Sequence, residues 1–169
     1  MSILKYKKVC GIYMKMKIPK ISKDNFIDKL KLLLEQNKDK RIVVVGTTCV
    51  GKTTLLNEIA EALDMDKILF PLLTKEESDY VCKEPWTEEV GEYMNNLARN
   101  KIKIKPGTPV LGTVIIESDL IVFLDIDEEL LKKRTLERNV SFESAKKMNN
   151  KIKQEIENTD ITCLKIKIK

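Results

Sequence analysis

The sequence predicts an α/β domain with a mainly parallel sheet and a helix ahead of it, and three observations lead there. Two short runs, Arg41–Val45 (RIVVV) and Leu120–Leu124 (LIVFL), are aliphatic or β-branched almost throughout, as in strands buried on both faces. Stretches between and after them carry apolar residues at helical spacing. The length, 169 residues, suits one domain with a full core, and 43% apolar with 34% charged residues is a globular balance. Aromatics make up only 5%, so Ile, Leu and Val must build that core.

Asp24–Asn37 places Phe26, Ile27, Leu30, Leu33 and Leu34 on one helical face, with Ser22 or Asp24 as its cap. Asn37–Lys40 breaks the pattern before the strand Arg41–Val45. Helical spacing resumes over Thr53–Leu63 through Leu55, Leu56, Ile59, Ala60 and Leu63. The apolar stretches Lys67–Leu73 and Asp79–Lys83 read as short strands. Thr87 caps a predicted helix to about Asn100, with Glu88, Glu89 and Glu92 in its early turns. Pro106-Gly107-Thr108-Pro109 is a loop signal. Glu117–Asp119 is too short for the dozen-residue crossover between parallel strands, so Val110–Ser118 is expected to be a short helix or a strand antiparallel to Leu120–Leu124. Asp127–Asn139 is a helix with acids first and bases last, Ser141–Asn158 is another, and Ile161–Ile168 is a final strand.

Charge and composition exclude several function classes. Histidine is absent, and the four cysteines (Cys10, Cys49, Cys82, Cys163) form no C-x-x-C pair, which removes zinc and Ser-His-Asp chemistry. No apolar run reaches the roughly 20 residues of a membrane span, and Met1–Lys20 lacks a signal-peptide core, so a cytoplasmic protein without membrane contact is expected, with Met14 or Met16 as alternative starts. Of 31 basic residues, twelve fall in residues 1–41 against four of the 26 acids. Residues 1–40 are therefore a basic arm with an amphipathic helix, and 41–169 a separate, mildly acidic domain. A solvated, Lys-rich start is favoured over a nucleic-acid contact, because no aromatic interleaving accompanies the charge.

One motif carries the chemistry. Gly46-Thr47-Thr48-Cys49-Val50-Gly51-Lys52-Thr53 fits G-x-x-x-x-G-K-[ST], directly after a strand and before a helix. In this phosphate-binding loop, or P-loop, backbone N–H groups turn inward around phosphate oxygens. Lys52 spans the β- and γ-phosphates, the Thr53 hydroxyl ligates Mg²⁺, and Thr54 donates to the α-phosphate. ATP and Mg²⁺ are the expected cofactors. A second constellation is Arg134 and Arg138, four residues apart on one helix face and suited to clamping phosphate.

With these residues in place, LIVFLDIDEELLKKRTLER and the P-loop resemble the small nucleoside and nucleotide kinase branch (adenylate kinase-like) of the P-loop NTPases, from about Arg41 to Ile168. The resemblance implies a three-layer fold with a mainly parallel five-stranded sheet and the P-loop strand at its centre. It also implies lid arginines at Arg134 and Arg138 and an acceptor region from Leu69 to about Arg99. That region departs from the family in holding a single arginine, and no Walker B strand precedes the lid strand. Glu84 is the candidate replacement acid, orienting Mg²⁺ or accepting a hydroxyl proton, with Asp125 competing. Trp86, the sole tryptophan, is either packing or a platform for an acceptor base.

The expected function is phosphoryl transfer from ATP to a nucleoside, nucleotide or similar small metabolite. The alternatives are an acceptor-independent NTPase or switch, and an ATP-binding module brought to nucleic acid by the basic arm. A GTPase is disfavoured, since Asn37-Lys38-Asp39-Lys40 is not N-K-x-D and precedes the P-loop.

Overall fold

The computed structural model describes residues 8–9, 12–13 and 26–169. Strands β1 (Lys8–Val9) and β2 (Ile12–Tyr13) pair antiparallel. Most of the basic arm, with Cys10, Met14, Met16 and the cap candidates Ser22 and Asp24, lies outside the described residues. Helix α1 (Phe26–Glu35) buries Leu30, Leu33 and Leu34, the i, i+3, i+4 stripe of an amphipathic helix. Asn37 closes its end: Nδ2 donates to the Leu33 carbonyl at 2.8 Å, and Oδ1 accepts from Lys40 Nζ at 3.0 Å.

Five strands form an all-parallel sheet in the order β4-β5-β3-β6-β7. They are β3 (Ile42–Val45), β4 (Leu63–Asp64), β5 (Val110–Gly112), β6 (Leu120–Ile126) and β7 (Cys163–Ile168). The strand before the P-loop, β3, is central and buried at every residue, as the continuous β-branched run requires. Alternate strand residues face opposite layers. Val44, Val122 and Leu124 meet Leu30, Leu33 and Leu34 of α1, Leu55 of α2 (Lys52–Glu58) and Leu131 of α6 (Glu128–Glu137). Val43, Val45, Ile121 and Phe123 meet Met65 and Leu69 of α3 (Met65–Leu69), Val81 of α4 (Lys75–Val81), and Val90 and Leu97 of α5 (Glu88–Lys101). Helix α7 (Phe142–Glu157) serves both cores through Ala145 and Ile152. Each such Val, Leu, Ile or Phe contributes about 1.5–3 kcal/mol relative to exposure, so this two-sided burial is what fixes β3 and the loop that leaves it.

The ends of β3 and β6 away from the loop are clipped together. Arg41 donates from Nη2 to Asp119 Oδ1 at 2.7 Å and from Nη1 to Glu117 Oε1 at 2.8 Å. The side-chain and backbone bonds from Arg41 to Asp119 hold its carboxyl down to about 2.

Four expectations are corrected by the structure. The helix expected over Thr53–Leu63 ends at Glu58, where Ile59 turns extended (φ −122°, ψ 99°), and Leu63 opens β4. Lys67–Leu73 is not a strand: it runs through the end of α3 into a 3₁₀ turn, Phe70–Leu72, with Pro71 at its start. Nor is Asp79–Lys83, which is the end of α4 and the turn after it. Thr74 and Glu77 form a capping box at the start of α4, satisfying two backbone donors and favouring helix over strand. Val110–Ser118 holds strand β5, parallel to β3 and on the opposite side of it from β6. Because β5 is only three residues long, the bent loop 113–119 is enough to cross β3, with Val114 and Ile116 buried in the same core as Val43 and Val45. The helices capped by Thr87, Asp127 and Ser141 agree with expectation.

Close packing at the end of β5 gives a first prediction. A Cβ added to Gly112 would lie 2.5 Å from Met65 Sδ and 2.8 Å from Met65 Cβ, so the start of α3 would have to move. Gly112→Ala is expected to destabilise the protein by about 1–3 kcal/mol, read as a lowered melting temperature; an unchanged value would show that α3 yields freely.

Candidate functional site

The P-loop runs from the C-terminal end of β3 to the first turn of α2, and its shape follows from its residues. Cys49 (φ 64°) and Gly51 (φ 112°) both take left-handed backbone, which at Gly51 only glycine adopts without strain. The loop is anchored on two sides. Gly46 N–H donates to the Gly112 carbonyl at 3.2 Å, tying the loop to β5. The buried Thr47 hydroxyl donates to the Ala145 carbonyl at 2.6 Å, tying it to α7. Thr48 Oγ1 donates to Met148 Sδ at 3.7 Å.

Lys52 folds back across the loop, its ammonium donating to the Gly46 carbonyl at 2.7 Å and the Thr47 carbonyl at 2.8 Å. Burial lowers its pKa to about 8, against the opposing pull of the Asp66 and Asp64 carboxylates. Desolvation and the neighbouring Asp64 raise the Asp66 pKa, with Lys52 opposing. Asp64 ends β4 and caps α3, accepting from the Asp66 amide at 2.9 Å.

These two carboxylates beside the P-loop lysine escaped the sequence reading, which put Leu63 in a helix and began a strand at Lys67. The readable signal was Asp64-Met65-Asp66 itself: an aspartate that can cap a helix by accepting from the amide two residues on keeps the second acid in the same turn.

The structure brings some predicted site residues together and not others. Arg134 reaches the loop, donating from Nη1 to the Val50 carbonyl at 2.9 Å and the Cys49 carbonyl at 3.4 Å. By occupying these carbonyls it braces the loop, leaving the neighbouring amides free to face the other way. Arg138, at the C-cap of α6, is exposed, and no described hydrogen bond or ion pair joins it to the loop. Glu84 lies in the exposed link between α4 and α5 and likewise makes no described contact with the loop. With Asp79–Lys83 a helix end rather than a strand, nothing carries Glu84 to the sheet edge. Asp125 is spent elsewhere, pairing with Lys153 of α7 at 3.0 Å and Lys165 of β7 at 3.8 Å. Thr53 and Thr54 stand exposed in the first turn of α2.

The donor set fits a polyphosphate. The amides of Thr48, Cys49, Gly51 and Lys52 have no acceptor among the described residues, and Lys52 adds an ammonium at the same loop. No group of three or more Cys, Asp or Glu able to hold a metal alone occurs among the described residues. A Mg²⁺ here would therefore divide its ligands among Thr53, one or two carboxylates and phosphate oxygens. No helix among the described residues is long and apolar enough to cross a membrane. No family model matches the chain, and no curated protein matches it.

The depressed Lys52 pKa gives a second prediction. Bound phosphate favours the ammonium, so Mg-ATP affinity is expected to be level below about pH 8 and to fall above it, approaching tenfold per pH unit. Lys52→Arg, charged throughout this range, should flatten the profile. Titrations from about pH 7 to about pH 9.5 check this, and a level wild-type profile would contradict it. The same shift makes folding stability rise between about pH 8 and the unfolded lysine value, because the unfolded chain there holds more protons.

Proposed function

We propose that this protein transfers the γ-phosphoryl group of ATP to a small hydroxyl-bearing acceptor, as a P-loop kinase similar to the nucleoside and nucleotide kinases. The observation that carries the reading is the P-loop lysine seated at the C-terminal end of the central parallel strand, with Asp64 and Asp66 beside it. Ligands of open α/β sheets bind at that edge. Supporting it is the strand order, in which the chain leaves β3 for β4 on one side of the sheet while β6 and β7 lie on the other, the change of direction at which such sites form.

Within this reading each residue has a defined task. The amides of Thr48, Cys49, Gly51 and Lys52 cradle the phosphates, and Lys52 swings from the Gly46 and Thr47 carbonyls onto the β- and γ-oxygens. Thr53, with Asp64 or Asp66, would hold Mg²⁺, and the carboxylate not so engaged would accept the proton of the attacking hydroxyl. The bound Mg-nucleotide supplies a transferable phosphoryl group whose charge the metal partly neutralises. Arg134, already at the loop, turns toward charge developing on the transferred group. Asp64 and Asp66 here take the task that the sequence had suggested for Glu84.

One observation favours a second reading. The link between α6 and α7 is four residues long, Arg138–Ser141, too short for a lid that would shut out water. Hydrolysis without an acceptor is the corresponding activity. ADP release from Mg-ATP, measured alone and with nucleosides, nucleotides and small hydroxylated metabolites, separates the two. Acceptor-stimulated release is the expected result; release indifferent to every acceptor would favour the NTPase.

A further inference from the structure

A groove of about 280 Å³ lies between α5 and α7, beside the P-loop, and its lining includes Trp86, Asn95, Thr113, Lys147, Met148 and Lys151. Two contacts tie it to the phosphate site. Its wall residue Met148 accepts from Thr48 of the loop, and its floor residue Thr113 follows Gly112, whose carbonyl accepts the Gly46 amide. These contacts make the groove a neighbour of the loop.

Trp86 gives the groove its chemical preference. The side chain is not core packing, for the residue is 56% exposed. It is nevertheless held: a Cβ on Gly91 would lie 3.3 Å from the indole Nε1, so the ring packs closely on α5 at Gly91. An aromatic ring seated in this way at the lip of a cavity is a stacking platform.

The cations around the groove already have partners. Lys147 pairs with Glu88 at 3.1 Å, Lys151 pairs with Glu92, and Arg99, outside the lining, pairs with the lining residues Glu155 at 3.2 Å and Glu92 at 3.5 Å. A phosphate on the acceptor would have to displace these carboxylates. The side chains of Asn95 and Thr113, both half-buried, have no hydrogen-bond partner among the described residues and offer neutral donors and acceptors.

We infer that the groove binds the acceptor, and that the acceptor is an uncharged molecule combining a planar heteroaromatic ring with a hydroxyl group, the chemistry of a nucleoside rather than of a nucleotide or a sugar phosphate. The ring stacks on Trp86, Asn95 and Thr113 bond its polar edge, and its hydroxyl points to the loop. In the transfer the hydroxyl oxygen forms a bond to the γ-phosphorus of ATP as the bond from that phosphorus to the β,γ-bridging oxygen breaks. ADP departs, and the hydroxyl proton passes to the Asp64–Asp66 carboxylates and then to solvent. This inference rests on the kinase reading for its transfer step but not for its binding step.

Because Trp86 is the only tryptophan in the chain, its fluorescence reports on this groove alone. Titration of the full chain with adenosine, guanosine, cytidine, uridine and thymidine, without ATP, is expected to give saturable quenching by at least one of them. Ribose should give none, and the matching monophosphate should bind roughly tenfold more weakly. In acceptor-dependent turnover, Trp86→Ala should raise the acceptor KM roughly tenfold or more while leaving the Kd for Mg-ATP unchanged, and Trp86→Phe should recover most of the loss. Asn95→Ala provides a second variant that leaves the fluorophore in place, and it should weaken quenching by the same nucleoside. Absence of quenching by every nucleoside, or tighter binding of monophosphates, would overturn the inference. Nucleoside quenching in a protein that does not bind Mg-ATP would retain the groove and remove the kinase reading; Mg-ATP binding with no nucleoside response would do the reverse.

Discussion

Lys52→Ala is expected to weaken Mg-ATP binding by about 1.5–3 kcal/mol, the worth of hydrogen bonds to a charged group, and to slow turnover by a further factor of about 10²–10³ through lost transition-state stabilisation. The protein should stay folded. Lys52 sits where burial disfavours its charge, so removing it relieves desolvation, and the melting temperature should hold or rise. Titration calorimetry with a thermal melt checks both halves. Unchanged affinity would remove Lys52 from the phosphate site, and a collapsed melt would recast it as a structural residue holding the Gly46 and Thr47 carbonyls.

The second large effect is expected at the carboxylates. Asp66→Asn should lower kcat by about 10²–10⁴ if Asp66 is the group that accepts the proton, with Mg-ATP affinity changed only a few-fold. Asp64→Asn should retain the α3 cap, because asparagine caps as well as aspartate, and so tests the charge of Asp64 apart from its structural task. Removing either negative charge also takes away an opposing pull on Lys52, so the break in the pH profile of ATP affinity should move to lower pH. If neither variant alters kcat, and Glu84→Gln does, the acid belongs to the α4–α5 link after all.

Much of this was legible in the residues. Ile42–Val45 and Leu120–Ile126 announce buried parallel strands because nothing polar interrupts them until Asp125, and the G-x-x-x-x-G-K-[ST] spacing fixes the loop between β3 and α2. The helices begun by Thr87, Asp127 and Ser141 could be read because each cap residue precedes acids in the first turn. What failed was short. Strands β4 and β5 have two and three residues, too few for a period to show; β4 is defined by its pairing with β5, and β5 by its pairing with β4 and β3, rather than by their own sequence. Helices α3 and α4 have five and seven residues, and their C-terminal parts, within Lys67–Leu73 and Asp79–Lys83, are apolar enough to read as strands; Thr74-x-x-Glu77 is the available signal for the second.

The site divides along the same line. The loop was legible because its chemistry is local in sequence. Asp64 and Asp66 were not, since their charges come to act on Lys52 only once β4 is placed beside β5. Arg134 was legible as a helix-borne arginine, but its bond to the Val50 carbonyl depends on how α6 packs. Arg138, four residues on, does not share it, because α6 has ended and the chain turns toward α7.

The central claim is that residues 46–54 hold the phosphates of a nucleoside triphosphate, and the most direct measurement is calorimetric titration of the wild-type protein with Mg-ATP, ADP and AMP in turn. Saturable one-site binding of ATP and ADP, with AMP weaker by roughly tenfold or more for want of the β-phosphate that Lys52 reaches, is the predicted result. No binding of ATP, or AMP binding as tightly as ATP, would contradict it.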